Sequence, residues 1–177
     1  MRLFIALDVE EYYDYFSSLQ SQLPKEYAKF NFTKSFHLTF KFLGDVMPQY
    51  IENYKKALQE ISFKPFTIHF SKAGFFSPRD IHVVWIGLQD NRKIMKLQSQ
   101  IDNSLRKYFP KTERYHPHVT LARVKSVYDR DALKKSIQTL PVKDLAFKVN
   151  GFKLMMSTLT SLGPIYEEIE TFNDSSE

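Results

Sequence analysis

His37-Leu38-Thr39-Phe40 and His118-Val119-Thr120-Leu121 share one pattern, His-apolar-Thr-apolar, and each sits in a run that reads as a buried β-strand. Successive strand side chains point to opposite faces. His37 and Thr39 therefore share one face, and Leu38 and Phe40 the other. The same holds for His118 and Thr120 against Val119 and Leu121. Each strand has a core face and a working face. Together they offer two imidazoles and two hydroxyls, the equipment for acid–base chemistry on a phosphate. One His-x-Thr is a weak signal in any chain, but two in matching context are a strong one.

Outward from these strings, spacing sets the elements. Arg2 to Leu7, Phe36 to Leu43, Phe66 to Phe70, Ile81 to Leu88, His118 to Val124, Leu145 to Met156 and Ile165 to Thr171 read as strands. Glu10 to Leu23, Tyr50 to Ile61, Ile94 to Tyr108 and Asp129 to Leu140 carry helical spacing. Gly44-Asp45, a loop with Gly74, Pro78 and Arg79-Asp80, and Gly163-Pro164 read as turns. Each motif strand is preceded by a helix and followed by a turn and another helix. A duplicated α+β unit would set the two motif strands side by side, facing one cleft. No linker is long enough to separate independent domains, so residues 1–177 are expected to form a single two-lobed domain.

The 177 residues suffice to bury a real core, and most of the 16 Phe and 10 Tyr are expected to lie in it. The absence of Cys excludes a disulfide scaffold and thiolate metal sites, and it fits a reducing compartment. A net charge of +5 favours anionic partners such as nucleotides or RNA, although no dense Lys/Arg run marks a nucleic-acid arm. The apolar stretch Met1 to Leu7 is too short for a signal or spanning helix. A soluble, cytoplasmic protein with no membrane or protein partner is expected.

His69 and His82 sit in strand-like runs and read as structural. His116-Pro117-His118 is a rival reading, since an extended His-x-His can put two imidazoles on one metal. No His-Asp pair or His-Glu-x-x-His accompanies it, so the metal-free reading is preferred. Imidazole has a reference pKa near ~6.5, so one His can be protonated while its partner is free. In-line opening of a cyclic phosphodiester by water needs such an acid and base on opposite sides of phosphorus. The Thr hydroxyls can bond the non-bridging oxygens. Arg123 suits a phosphate, but its odd offset from His118 requires a twist or bulge to bring it onto the working face.

The paired motifs resemble those of the two-histidine phosphoesterase superfamily. The whole chain looks like its LigT-type members, the RNA 2′,3′-cyclic phosphodiesterases first described as bacterial 2′–5′ RNA ligases. Arg2-Leu3-Phe4-Ile5-Ala6-Leu7, His37 to Gly44, Val84-Trp85-Ile86-Gly87, Tyr115 to Arg123 and Ser161-Leu162-Gly163-Pro164-Ile165-Tyr166 carry the likeness. It implies two pseudo-symmetric α+β lobes, each an antiparallel sheet with helices outside, and an active cleft between the sheets. It makes His37 the proton donor to the leaving oxygen and His118 the proton acceptor from water. Thr39 and Thr120 would hold phosphoryl oxygens, and Arg123 would bind phosphate. The implied reaction converts an RNA 2′,3′-cyclic phosphate to a 2′-phosphomonoester without metal or cofactor, with ligation as its reverse. The family often places a second aromatic after Phe4, where it can stack on the substrate base; this chain has Ile5 there. Alternatives are a related phosphodiesterase acting on a cyclic nucleotide, a 2′–5′ oligonucleotide or an ADP-ribose cyclic phosphate, and a non-catalytic RNA-end binding module.

Overall fold

The computed structural model describes residues 1–77, 79–161 and 163–173. Its strands are β1 (Arg2–Asp8), β2 (Ala28–Phe32), β3 (His37–Asp45), β4 (Phe66–Phe76), β5 (Val83–Leu88), β6 (Val119–Val127), β7 (Leu145–Val149), β8 (Gly151–Thr160) and β9 (Gly163–Asn173). The helices are α1 (Tyr13–Ser21), α2 (Ile51–Gln59), α3 (Arg92–Ser104) and α4 (Arg130–Gln138). Short 3₁₀ turns at Glu10–Tyr12 and Pro48–Tyr50 lead into α1 and α2. Pro78 of the expected loop and Leu162 of the expected closing hairpin lie outside the described residues.

All pairings are antiparallel, in the order β7-β4-β5-β6-β3-β1-β8-β9, with β2 also paired to β6. The sheet falls into two lobes about its middle. β3, β1, β8 and β9 form one, and β6, β5, β4 and β7 the other. They meet where the two motif strands lie side by side, through one ladder pair, Leu38 with Val119. The helices bury stripes at i, i+3 and i+4: Phe16 and Leu19 on α1, Tyr54 and Leu58 on α2, Ile94, Leu97 and Ile101 on α3, Leu133 and Ile137 on α4. These stripes join one apolar cluster with Leu38, Phe40, Val119 and Leu121 from the motif strands. The packing is crossed. Helix α1 lies against β6 and α3 against β3, so each motif strand is backed by a helix from the other half of the chain.

Several elements differ from the sequence expectations. β6 begins at Val119, one residue after His118, and Gly44-Asp45 and Gly163-Pro164, expected as turns, form the end of β3 and the start of β9. The strand expected at Phe66 to Phe70 runs on to Phe76. Gly74 lies inside it rather than in a loop, because the Trp85 ring covers that position and a Cβ would collide with it. β2 is an additional strand whose alternation spans only five residues. The expected strand Leu145 to Met156 breaks at Asn150 into β7, paired with β4, and β8, paired with β1. The helix expected to reach Tyr108 ends at Ser104. Among the described residues no helix is long and apolar enough to cross a membrane.

Candidate active site

The two motif strands use the same backbone irregularity. On β3 the pairing with β1 runs Leu7–Leu38 and Ala6–Thr39, then jumps to Ile5–Lys41. On β6 the pairing with β5 runs Ile86–Val119 and Trp85–Thr120, then jumps to Val84–Ala122. Each jump is a β-bulge, which lets two consecutive residues face the core and returns the next to the opposite face. Phe40 and Lys41 are both buried, and so are Leu121 and Ala122. Beyond them Phe42 is 74% exposed and Arg123 is exposed. The bulge that Arg123 requires is therefore present, and it has a twin on β3.

A cleft of about 730 Å³ opens over this junction and is lined by His37, Thr39, His118, Thr120 and Arg123. All five candidate residues thus come together. The Leu38–Val119 register sets His37 towards Thr120 and Thr39 towards His118 on neighbouring strands. A smaller cavity of about 340 Å³ adjoins at His37.

His37 lies between two rings, Phe4 at 5.0 Å and Tyr166 at 5.0 Å. Burial among them pushes its pKa down to about 4; Asp8, its cross-strand partner, works upward and the nearby His118 downward. His118 stands edge-on to Phe76 at 4.9 Å. Its Nδ1 lies 2.7 Å from the carbonyl oxygen of His116. A carbonyl only accepts, so Nδ1 carries the proton and Nε2 keeps its lone pair. Burial lowers the pKa of His118, the His116 carbonyl opposes this, and His116 and Arg123 lower it further. Both imidazoles are therefore neutral near pH 7 in the free protein.

Position 5 requires a correction. Ile5 is fully buried in the core, while Phe4 turns to the cleft. An aromatic at position 5 would pack under the sheet, out of reach of a base. The cleft's aromatic surface comes instead from Phe4, Tyr166 and the exposed Phe42, whose ring lies 6.2 Å from that of Phe4. Tyr115 also lines the cleft, but its hydroxyl is enclosed. His116 faces the cleft against Trp85 at 4.6 Å, its ring 6.2 Å from that of His118. Among the described residues no cluster of three or more His, Asp or Glu could hold a metal ion. His69 pairs with Asp144 at 2.7 Å and His82 with Asp80 at 3.2 Å; neither lines the cleft. Tyr166 and Phe76 escape a motif search, because only the folded chain brings their strands to the histidines.

Two lobes meeting at paired His-x-Thr strands define a LigT-like fold. The family model for the 2′-5′ RNA ligase superfamily matches residues 34–158, and the chain belongs to that superfamily. A relative from Methanothermobacter thermautotrophicus, named RNA 2′,3′-cyclic phosphodiesterase, is 33% identical over 97% of this chain and 98% of its own length. One of the same name from Methanocaldococcus jannaschii is 34% identical over 96% and 99%. E. coli LigT in complex with 3′-AMP superposes with a TM-score of 0.78 at 21% identity, covering 99% of this chain and 98% of that one. A Thermus thermophilus protein superposes with a TM-score of 0.81 at 22% identity, covering 98% and 97%. These two likenesses speak to the fold.

Proposed function

We propose that the chain, acting as one two-lobed unit, hydrolyses RNA ends bearing a 2′,3′-cyclic phosphate to 2′-phosphomonoesters without metal. The observation that carries this reading is the convergence of both His-x-Thr pairs and Arg123 on one cleft. The curated relatives' shared name supports the substrate class.

In the proposed reaction His118 Nε2 takes a proton from water as the water oxygen bonds to phosphorus. The bond from phosphorus to O3′ breaks on the opposite side, and O3′ receives a proton from His37. Thr39, Thr120 and Arg123 bond the non-bridging oxygens, whose charge grows in the transition state. The acid form of His37 is scarce in the free protein, where its pKa lies at about 4. An anionic phosphate seated between the imidazoles raises both pKa values and favours the protonated acid. The turnover leaves His118 protonated and His37 neutral, and exchange with solvent resets the pair.

The test is hydrolysis of a short RNA ending in a 2′,3′-cyclic phosphate, in EDTA, with wild type beside His118→Ala. Release of a 2′-phosphate by wild type alone is expected. Turnover that appears only with added divalent metal would overturn the metal-free reading in favour of the His116 and His118 pair. If this RNA is inert under both conditions, its assignment as substrate fails. A panel of cyclic nucleotides, 2′–5′ oligonucleotides and ADP-ribose cyclic phosphate then separates another phosphodiesterase from an RNA-end binder.

A further inference from the structure

The lobes share one ladder pair at the motif strands, Leu38 with Val119. The proposed chemistry needs both imidazoles held at a fixed separation. Two buried polar clusters lie at the floor of the cleft. The first begins at Lys41, the second bulge residue of β3, which is 5% exposed. Its Nζ donates to Asp102 Oδ1 at 2.5 Å, the Pro110 carbonyl oxygen at 2.7 Å and Thr112 Oγ1 at 3.2 Å. Asp102 on α3 also accepts from Gln98 Nε2 at 2.7 Å and from the Thr112 amide at 3.0 Å. Burial works to raise the Asp102 pKa, and the bonds from Lys41, Gln98 and Thr112 outweigh it and hold the carboxyl below its ordinary range. The cluster ties the β3 bulge to residues 110–112, the segment that runs on into His118.

The second cluster mirrors the first. Gln20 on α1 is 9% exposed, and its Nε2 donates to the Leu121 carbonyl at 2.7 Å and the Thr33 carbonyl at 2.8 Å. Leu121 is the first bulge residue of β6, and Thr33 opens the segment that runs into His37. Each helix thus sends a buried polar group to the motif strand that it backs.

We propose that Gln20 and the Lys41–Asp102 pair are positioning residues. They form two crossed braces, each tying the bulge of one motif strand to the segment that feeds the histidine of the other. Together they fix the separation of His37 and His118. A buried ion pair adds little net stability over apolar side chains of similar size. Its charge-assisted bonds, however, are short and directional, which apolar contacts are not. That difference matters at a site where a displacement of about 1 Å can cost about 10²-fold in rate.

The rate readout rests on the two-histidine reading, so the experiment pairs it with one that does not. The double variant Lys41→Met with Asp102→Leu replaces the pair by apolar residues and leaves neither charge unpaired. Gln20→Leu carries the same test on the other side, and also serves if the double variant fails to fold. Thermal unfolding, steady-state kinetics on the cyclic-phosphate RNA, and amide exchange at residues 37–39 and 118–120 are measured for each. The expected double variant unfolds within a few degrees of wild type. Its kcat falls by about 10- to 100-fold, with KM changed less than about threefold. Exchange quickens at the lobe junction and stays as it was at residues 84–86. The single variant Lys41→Arg keeps most of the rate. Wild-type kcat and junction exchange in the folded variants would overturn the braces, as would faster exchange spread evenly over every strand. Should wild type lack phosphodiesterase activity, the functional reading fails, and junction exchange alone still decides the braces.

Discussion

The two motif strands share a backbone and differ in what they present to the cleft. β3 opens on His37 and His118 immediately precedes β6; each His is followed by a Thr two residues on and by a bulge that turns the fifth residue after the His into the cleft. On β3 that residue is Phe42, on β6 it is Arg123. The second bulge residue differs as well: Lys41 reaches a buried carboxylate, whereas Ala122 only fills space. Two matching strands thus present an apolar side and a cationic side around a pair of imidazoles. A nucleotide end is asymmetric in the same sense, with a flat base at one side and a charged phosphate at the other.

The largest predicted effects test what the halves share. His37→Ala and His118→Ala should each lower kcat by about 10²–10⁴-fold while substrate still binds, as seen by single-turnover and equilibrium binding assays. A pH series sharpens the assignment. In the proposed mechanism the active free form has His37 protonated and His118 neutral. Burial lowers the pKa of the acid, to about 4, further than that of the base, so the active form is the minor protonation isomer and kcat/KM should be flat between the two values. It should fall as pH drops below about 4 and as pH rises above the lowered pKa of His118. Both limbs of the bell are expected below the ordinary imidazole value of 6.5. A limb assigned to His118 should vanish in His118→Ala.

Smaller effects test how the halves differ. Arg123→Ala removes the proposed phosphate ligand and should cost about 1.5–3 kcal/mol in kcat/KM. That loss should be the same for RNA ends of any base. Phe42→Ala removes a stacking surface worth about 1–3 kcal/mol per base. It should act mainly on KM, and more for purine than for pyrimidine ends. If both variants lose kcat equally and neither shows base dependence, the division of labour between the strands is wrong. The smallest effect is on stability. Gly74→Ala drives a methyl into the Trp85 ring, costing about 1–3 kcal/mol in denaturant unfolding. It should also reduce activity, because Trp85 pairs with Thr120.

The motif faces were legible because strand alternation is a local rule, and half-buried His and Thr between buried Leu, Phe and Val follow it. The helices were legible for the same reason, their buried stripes lying at the spacing read from the chain. The bulges were not, since a register jump is a relation between two strands, and only the odd offset of Arg123 hinted at one. Ile5 misled because a family position was read without its face. Nor could the pairing of Lys41 with Asp102 be read, as their chain separation carries no periodic signal. Gly74 looked like a turn because the ring that demands it lies on another strand.

The crossed connections also bear on how the chain could be divided. β1 is completed by β8 from the far end of the sequence, and β4, made early, is completed by β5 and β7. A cut between β4 and β5 would leave two fragments, each holding one of the two motif histidines and each lacking the strands that close its own sheet. Neither piece would have a reason to fold by itself. Mixed, they should find each other through several strand edges at once, so that the active centre is rebuilt only by complementation. Expressed as separate polypeptides, the halves would behave as an obligate heterodimer whose phosphodiesterase signal reports their meeting.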